Sequence, residues 1–293
     1  MADPLINSDM LRRLEQLTVV SRRMASGMMR GERRSRQRGQ STDFADYRNY
    51  VVGDDLRYLD WKIYARLEKL FIKLFLEEED LRVNVLVDTS PSMATGSPEK
   101  LHYAKQVAAA LGYVSLAKND SVSAHGFSGG VTASFGPKRG KVSARRYFDF
   151  LDKLVPDGQT DISAAMHDVA MRARGRGVVI VISDFMDFNG FEAGLRALFG
   201  RNFEVLVIHT LSPEELEPEL AGDVRLVDVE FGMQTDISVG RSLMEGYKKT
   251  VKVFCDGIRE YTVNRGGNYV LTSTALPFDR LVLDVLCRKG MLR

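Results

Sequence analysis

Two short apolar runs set the strongest limit on how this chain can fold. "VNVLVD" occupies residues 83–88 and "VVIVISD" occupies 178–184, and each ends in an aspartate. A strand that is apolar on successive residues buries both faces, as in a parallel sheet covered by helices on both sides. The rest of the chain keeps that rhythm. Leu101, Ala104, Ala108 and Leu111 recur at helical spacing, as do Ile162, Ala165, Met166 and Val169. Tyr147, Phe150, Leu151 and Leu154 mark another helix, and residues 190–200 a short one. Met244, Tyr247, Val251, Phe254, Ile258 and Tyr261 form a longer stripe, and Phe278, Leu281, Val282 and Val285 a C-terminal helix. Between them, "SVSAHGF" (121–127), "VTASF" (131–135), "FEVLVIHT" (203–210) and "NYVLTST" (268–274) read as strands, the first two paired through a Gly-Gly turn. The expected fold is α/β, Rossmann-like and doubly wound, with a mostly parallel sheet and helices on both faces. Residues 1–81 read as a separate N-terminal region, a helix and then short strands. Residues 82–293 read as the main domain, with a β insertion near 213–240.

Composition excludes several classes. The 293 residues are 44% hydrophobic and 27% charged, with a formal net charge of +2, so no global field draws the chain to nucleic acid or membrane. Cys255 and Cys287 are the only cysteines and lack metal-ligand spacing, which fits a reducing cytoplasm. No signal peptide is read at the start, and no stretch reaches the roughly 18 apolar residues of a membrane span. A cytoplasmic protein is expected. Seven arginines lie between Arg22 and Arg38 against one acid, Glu32. They read as a solvated face paired with acids such as Asp43, Asp46, Asp54 and Asp55, and nucleic-acid binding is not expected. Trp61 and its aromatic neighbours read as a small core. His102, His125, His167 and His209 show no ligand spacing, and "GPKRGK" (136–141) lacks the Gly-Lys-Ser/Thr ending of a phosphate loop.

The two aspartates carry the functional reading. In an open α/β sheet, ligands sit beyond the carboxyl ends of the strands. Asp88 and Asp184 end two strands there, and loops on the same edge add Ser90, Ser92 and Thr160. All five offer oxygen, two with charge and three as hydroxyls. That donor set suits Mg²⁺, or another divalent ion such as Mn²⁺ or Ca²⁺, held without a closed cage. Plainer roles compete. Ser90 and Ser92 could cap the following helix, Thr160 could cap the helix opening at Asp161, and Asp187 rivals Asp184 for the last position.

"DTSPSM", "GQTDISAAM" and "VVIVISD" resemble, in order, the three parts of the metal-ion-dependent adhesion site of von Willebrand factor type A domains. The resemblance assigns Asp88, Ser90 and Ser92 to the first loop, Thr160 to the second and Asp184 to the third. It implies that the serines contact the metal directly, the threonine and aspartates directly or through water. An acidic residue of a partner protein completes the coordination. The stretch "RRSRQRGQSTDFADYRNYVVGDDLRYLDWKIYARLEKLFIKLFLEEED" resembles the signature block of the domain-of-unknown-function 58 (DUF58) family, whose members pair it with such a domain. The resemblance implies a MoxR-type AAA+ ATPase as partner and a chaperone-like role. Many members carry N-terminal membrane spans, and this chain departs from that pattern. The expectation is therefore a metal-dependent interaction module, an adaptor or co-chaperone and not an enzyme. A metal-dependent hydrolase of phosphoesters and a basic-arm nucleic-acid binder are the alternatives.

Overall fold

The computed structural model describes residues 5–21, 44–75, 81–172, 177–201, 203–218, 222–227 and 234–293. The arginines from Arg22 to Arg38 lie outside the described residues. The chain divides into two compact units, Ser26–Asp80 and the remainder. The described stretch 5–21 therefore belongs with the large unit, whereas the sequence boundary grouped it with the small one.

In the large unit, six strands line up in the order β10-β7-β6-β3-β4-β5. They are β3 (Arg82–Asp88), β4 (Ser121–Phe127), β5 (Val131–Lys138), β6 (Val178–Ser183), β7 (Glu204–Leu211) and β10 (Asn268–Ser273). All neighbours are parallel except β4 and β5, which form the expected antiparallel pair. The apolar runs are buried on both faces because successive side chains point to opposite sides of the sheet. Val83, Val85, Val87, Ile180 and Ile182 enter one core, and Leu86, Val179 and Val181 enter the other.

Helices α3 (Lys100–Ala117) and α4 (Ala144–Asp152) cover the first face, together with α1 (Ser8–Leu14) and the C-terminal segment. There α9 (Phe278–Arg280) runs into a π-helical turn, Leu281–Leu286. The second face is covered by α5 (Ile162–Arg172), α6 (Glu192–Gly200) and α8 (Arg241–Val263). Between β7 and α8 lie the single turn α7 (Pro213–Leu216) and an antiparallel hairpin of β8 (Gly222–Val227) and β9 (Gln234–Val239). No helix among the described residues is long and apolar enough to cross a membrane.

Helix α3 departs from the one-faced pattern read in the sequence. Fourteen of its eighteen residues are buried, because α1 and the C-terminal segment pack on it as well as the sheet. The N-terminal strand segment is fastened there by backbone: Thr18 donates to Arg293 at 2.8 Å and Val20 to Met291 at 2.9 Å. Tyr147 on α4 lies across α3 and donates its hydroxyl to the Ala108 carbonyl at 2.8 Å. Gly112 makes that crossing possible. A Cβ added there would stand 2.3 Å from the Tyr147 ring and hydroxyl.

The small unit has an antiparallel pair, β1 (Phe44–Asn49) with β2 (Phe71–Phe75), and helix α2 (Trp61–Leu67). Among the described residues, several of its charges pair within the unit. Asp60 caps α2 through the Lys62 and Ile63 amides, accepts from the Tyr47 hydroxyl and pairs with Lys73 at 3.1 Å. The Lys73 contact, with these donors, holds its carboxyl down at about 2. Asp54 pairs with Arg48 and Asp55 with Arg57. Trp61 corrects the sequence expectation of an aromatic core. It is 63% exposed, while among the described residues of the unit the buried positions are Leu59, Asp60 and Ile72. A two-stranded ribbon with one short helix has too little interior to enclose an indole.

Gly112→Ala should destabilise the protein by roughly 1–3 kcal/mol through overpacking against Tyr147. Gly257→Ala, on α8 with no atom outside its own stretch of helix within 4 Å of the added carbon, should leave stability unchanged or raised. Denaturant midpoints of the two variants check this.

Candidate cation site

The chain lays down β3, adds β4 and β5 on one side, then returns to place β6, β7 and β10 on the other. The strand order therefore reverses at the β3/β6 seam, where open α/β sheets bind their ligands. The register pairs Val87 with Ile182, so the chain leaves the two central strands side by side, at Asp88 and at Ser183–Asp184.

Asp88 is fully buried, and both its oxygens are engaged. Oδ1 accepts the Ser90 amide at 2.8 Å, and Oδ2 accepts the Ser183 hydroxyl at 2.5 Å. The first bond folds the loop back so that the Ser90 and Ser92 hydroxyls meet at 3.0 Å. Neither caps a helix in the described geometry. Ser90 precedes a short 3₁₀ turn, Pro91–Ala94, without a side-chain cap, and α3 begins later with Glu99 at its cap position. Ser183 also accepts the Phe185 amide at 2.8 Å, while Met186 donates to Asp184 Oδ1 at 3.0 Å. Phe185 is held at φ 57°, a left-handed conformation unusual for a bulky residue, in the turn that follows Asp184.

The second loop is bound to the first. Asp157 donates its amide to the Thr89 carbonyl at 2.9 Å, and Asp161 to the Ser128 carbonyl at 2.9 Å. Thr160 lies between these two attachments and is 8% exposed. The Gly-Gly turn after β4 lets this loop approach, since a Cβ on Gly129 would lie 2.8 Å from the Gln159 carbonyl. Two aspartates cap α5. Asp161 accepts from Ala164 at 2.7 Å, and Asp187 accepts from Ile162 at 2.7 Å. Asp187, the rival ligand in the sequence reading, is thereby tied to a helix end, and Asp184 is the aspartate beside Asp88.

Three side chains at this sheet edge had no part in the sequence reading of the site. Lys100 is fully buried at the start of α3, and its ammonium donates to Asp184 Oδ2 at 2.6 Å and to Glu215 Oε1 of α7. Burial pulls its pKa down, but the charges of Asp184 and Glu215 outweigh that and leave it raised. His209 on β7 faces the Asp184 carbonyl at 3.0 Å. A carbonyl only accepts, so His209 Nε2 carries the proton, and Nδ1 accepts from the Tyr269 hydroxyl at 2.8 Å. Burial holds the imidazole neutral, with its pKa lowered to about 4. Ser183 is the third. Its only sequence signal is its place before Asp184, whereas Lys100 and Glu215 lie 84 and 115 positions from their partners.

The donor set fits a hard divalent cation. Two hydroxyls converge at hydrogen-bond distance, and no basic side chain among the described residues pairs with the buried Asp88. Burial first, then the charge of Asp184, pushes the Asp88 carboxyl up to about 7, so a positive charge here would be strongly favoured. Among the described residues no three His, Cys, Asp or Glu side chains cluster as ligands. An ion here would rest on hydroxyls and water, which suits Mg²⁺.

The raised pKa has a signed consequence without divalent ions. Between about pH 4 and 7, unfolded Asp88 loses its proton while folded Asp88 keeps it, so the folded state binds more protons and stability falls as pH rises. Asp88→Asn should flatten that fall in chelator, as read from denaturation midpoints at several pH values. Asp187→Ala should cost about 1 kcal/mol by uncapping α5.

A family model described as "Protein of unknown function DUF58" matches residues 46–253. An uncharacterized protein of Mycobacterium tuberculosis is 27% identical over 241 residues, 80% of this chain and 76% of that one. An uncharacterized protein of Mycobacterium avium is 32% identical over 89 residues, 30% of this chain and 52% of that one. Among solved structures, the chain is similar to conserved hypothetical protein BatB from Bacteroides thetaiotaomicron. That match has 17% identity and a TM-score of 0.44, covering 72% of this chain and 98% of that one.

Proposed function

The chain belongs to the DUF58 family, and we propose that its β3/β6 site is a divalent-cation-dependent docking site for a protein partner. One observation carries this reading. Asp88, Ser90 and Ser92 are knotted together at the switch point, with Asp184 beside them and the Thr160 loop bound alongside. Residue types, order and sheet edge all agree with the adhesion site of von Willebrand factor type A domains. In this reading Ser90 and Ser92 hold the ion directly, and Asp88, Thr160 and Asp184 hold it directly or through water. The bound ion, Mg²⁺ in the first place, supplies a fixed positive charge that attracts a carboxylate of the partner. The resemblance to DUF58 proteins favours a MoxR-type AAA+ ATPase as that partner and an adaptor or co-chaperone role.

Binding is favoured over phosphoester hydrolysis by the state of the nearby bases. Asp88 accepts from Ser90 and Ser183, Asp184 is paired with Lys100, and Asp187 caps α5. His209 is fully buried with both ring nitrogens engaged. None of the four is poised to take a proton from an attacking water.

Immobilised protein should retain the MoxR-type ATPase of the same organism in Mg²⁺ and lose it in chelator. Asp88→Ala and Ser90→Ala should lose it in both, while keeping the circular dichroism of the parent. Equal retention by parent and variants, with or without chelator, would contradict the proposal.

A further inference from the structure

Lys100 is the one fully buried cation at the candidate site among the described residues, and its place is specific. Its ammonium bridges Asp184, from the loop after β6, and Glu215, from the turn after β7. Both carboxylates have second duties. Asp184 Oδ1 accepts the Met186 amide. Glu215 Oε2 accepts the Ser212 amide at 2.7 Å, and the Glu215 amide returns a bond to the Ser212 hydroxyl, which closes a capping box at the start of α7. Tyr247 of α8 donates to the Glu215 carbonyl at 2.9 Å. Lys100 therefore joins the cation site to the segment that leads into the β8–β9 hairpin and to α8.

We propose that Lys100 is a resident counter-cation that competes with the divalent ion for Asp184 and, through Glu215, couples ion binding to the 212–216 turn. The inference rests on the cation site proposed above. Charge balance in a largely buried place sets this competition. When an ion enters and Asp88 gives up its proton, the carboxylates of Asp88, Asp184 and Glu215 against one ammonium carry a charge of −2, which one divalent ion neutralises. Without the ion, Lys100 offsets the repulsion between the carboxylates and keeps Asp184 in place. With the ion, two positive charges share Asp184, so each weakens the other's hold. The ammonium then leans more on Glu215, and ion binding is felt at α7. Such coupling is reciprocal: whatever strengthens the Lys100–Glu215 bond strengthens ion binding.

The sign of each effect is fixed. Lys100→Met removes the competitor, so Mg²⁺ should bind about tenfold more tightly, within the usual range for coupled sites. The same variant should be less stable than the parent in chelator, because the buried Asp184 and the part-buried Glu215 are left without their cation. Glu215→Gln throws the ammonium wholly onto Asp184, so Mg²⁺ should bind severalfold more weakly. In the parent, saturating Mg²⁺ should change amide hydrogen exchange at Glu215 and Leu216, and in Lys100→Met it should not.

Titration calorimetry with Mg²⁺ alone, with denaturation in chelator and hydrogen exchange as second readouts, tests this on the full chain. Parent binding with no gain in Lys100→Met and no loss in Glu215→Gln overturns the role of Lys100 and leaves the docking site standing. Binding by Lys100→Met but not by the parent supports Lys100 as the competitor and overturns a site filled at rest. Absence of binding by the parent and by both variants overturns both proposals. Should Lys100→Met fail to fold, Glu215→Gln decides by itself: unchanged Mg²⁺ affinity and unchanged exchange at residues 215–216 refute the coupling.

Discussion

Asp88 is the point on which the geometry of the candidate site depends. It ends the central strand of a six-stranded sheet, buried, with one oxygen on its own loop and the other on the loop of the neighbouring strand. The Ser90 amide and the Ser183 hydroxyl together fix how β3 and β6 open at their carboxyl ends. Everything around the site follows from that fastening. The hydroxyls of Ser90 and Ser92 converge because their loop is folded back on Asp88, and Asp184 emerges one residue beyond Ser183. A buried carboxylate with no cationic partner is unfavourable unless protonated or joined by a cation. The sheet thus builds an electrostatic demand at the place where topology leaves an opening.

The surrounding layers hold that demand in place. On one side α3 is enclosed by α1, α4 and the C-terminal segment, so its first residue, Lys100, sits at fixed depth. On the other, His209 fixes the Asp184 backbone from β7 and is itself fixed by Tyr269 from β10. Contacts from Phe185, Phe254 and Tyr269 surround the imidazole edge-on. Strands β3, β6, β7 and β10 and helices from both faces therefore contribute to the position of one pair of aspartates. Such a frame suits the proposed docking site, where an ion would have to be presented at a constant position.

Much of this was legible in the chain because it depends on local pattern. Runs such as "VVIVISD" declare doubly buried strands, and helix spacing at Ile162, Ala165, Met166 and Val169 declares a covering helix. Asp88, Ser90 and Ser92 are close in sequence, so their convergence could be read from spacing. Three features were not legible. The burial of α3 on all sides depends on residues 5–21 returning to pack on it, which no local window reports. The Lys100–Glu215 pair spans 115 positions and looks, in sequence, like two ordinary surface charges. Trp61 misled in the opposite sense: an indole near other aromatics suggests a core, but the small unit has little interior to offer.

The central claim is that a divalent ion is held between the first, second and third loops of the sheet edge. Paramagnetic broadening of amide resonances by substoichiometric Mn²⁺ tests this most directly, since it reports proximity residue by residue. The account predicts that amides of residues 88–93, 158–161 and 184–186 broaden first and that Ser90→Ala abolishes the effect. Broadening centred on other acidic residues, with these three loops untouched, would contradict it.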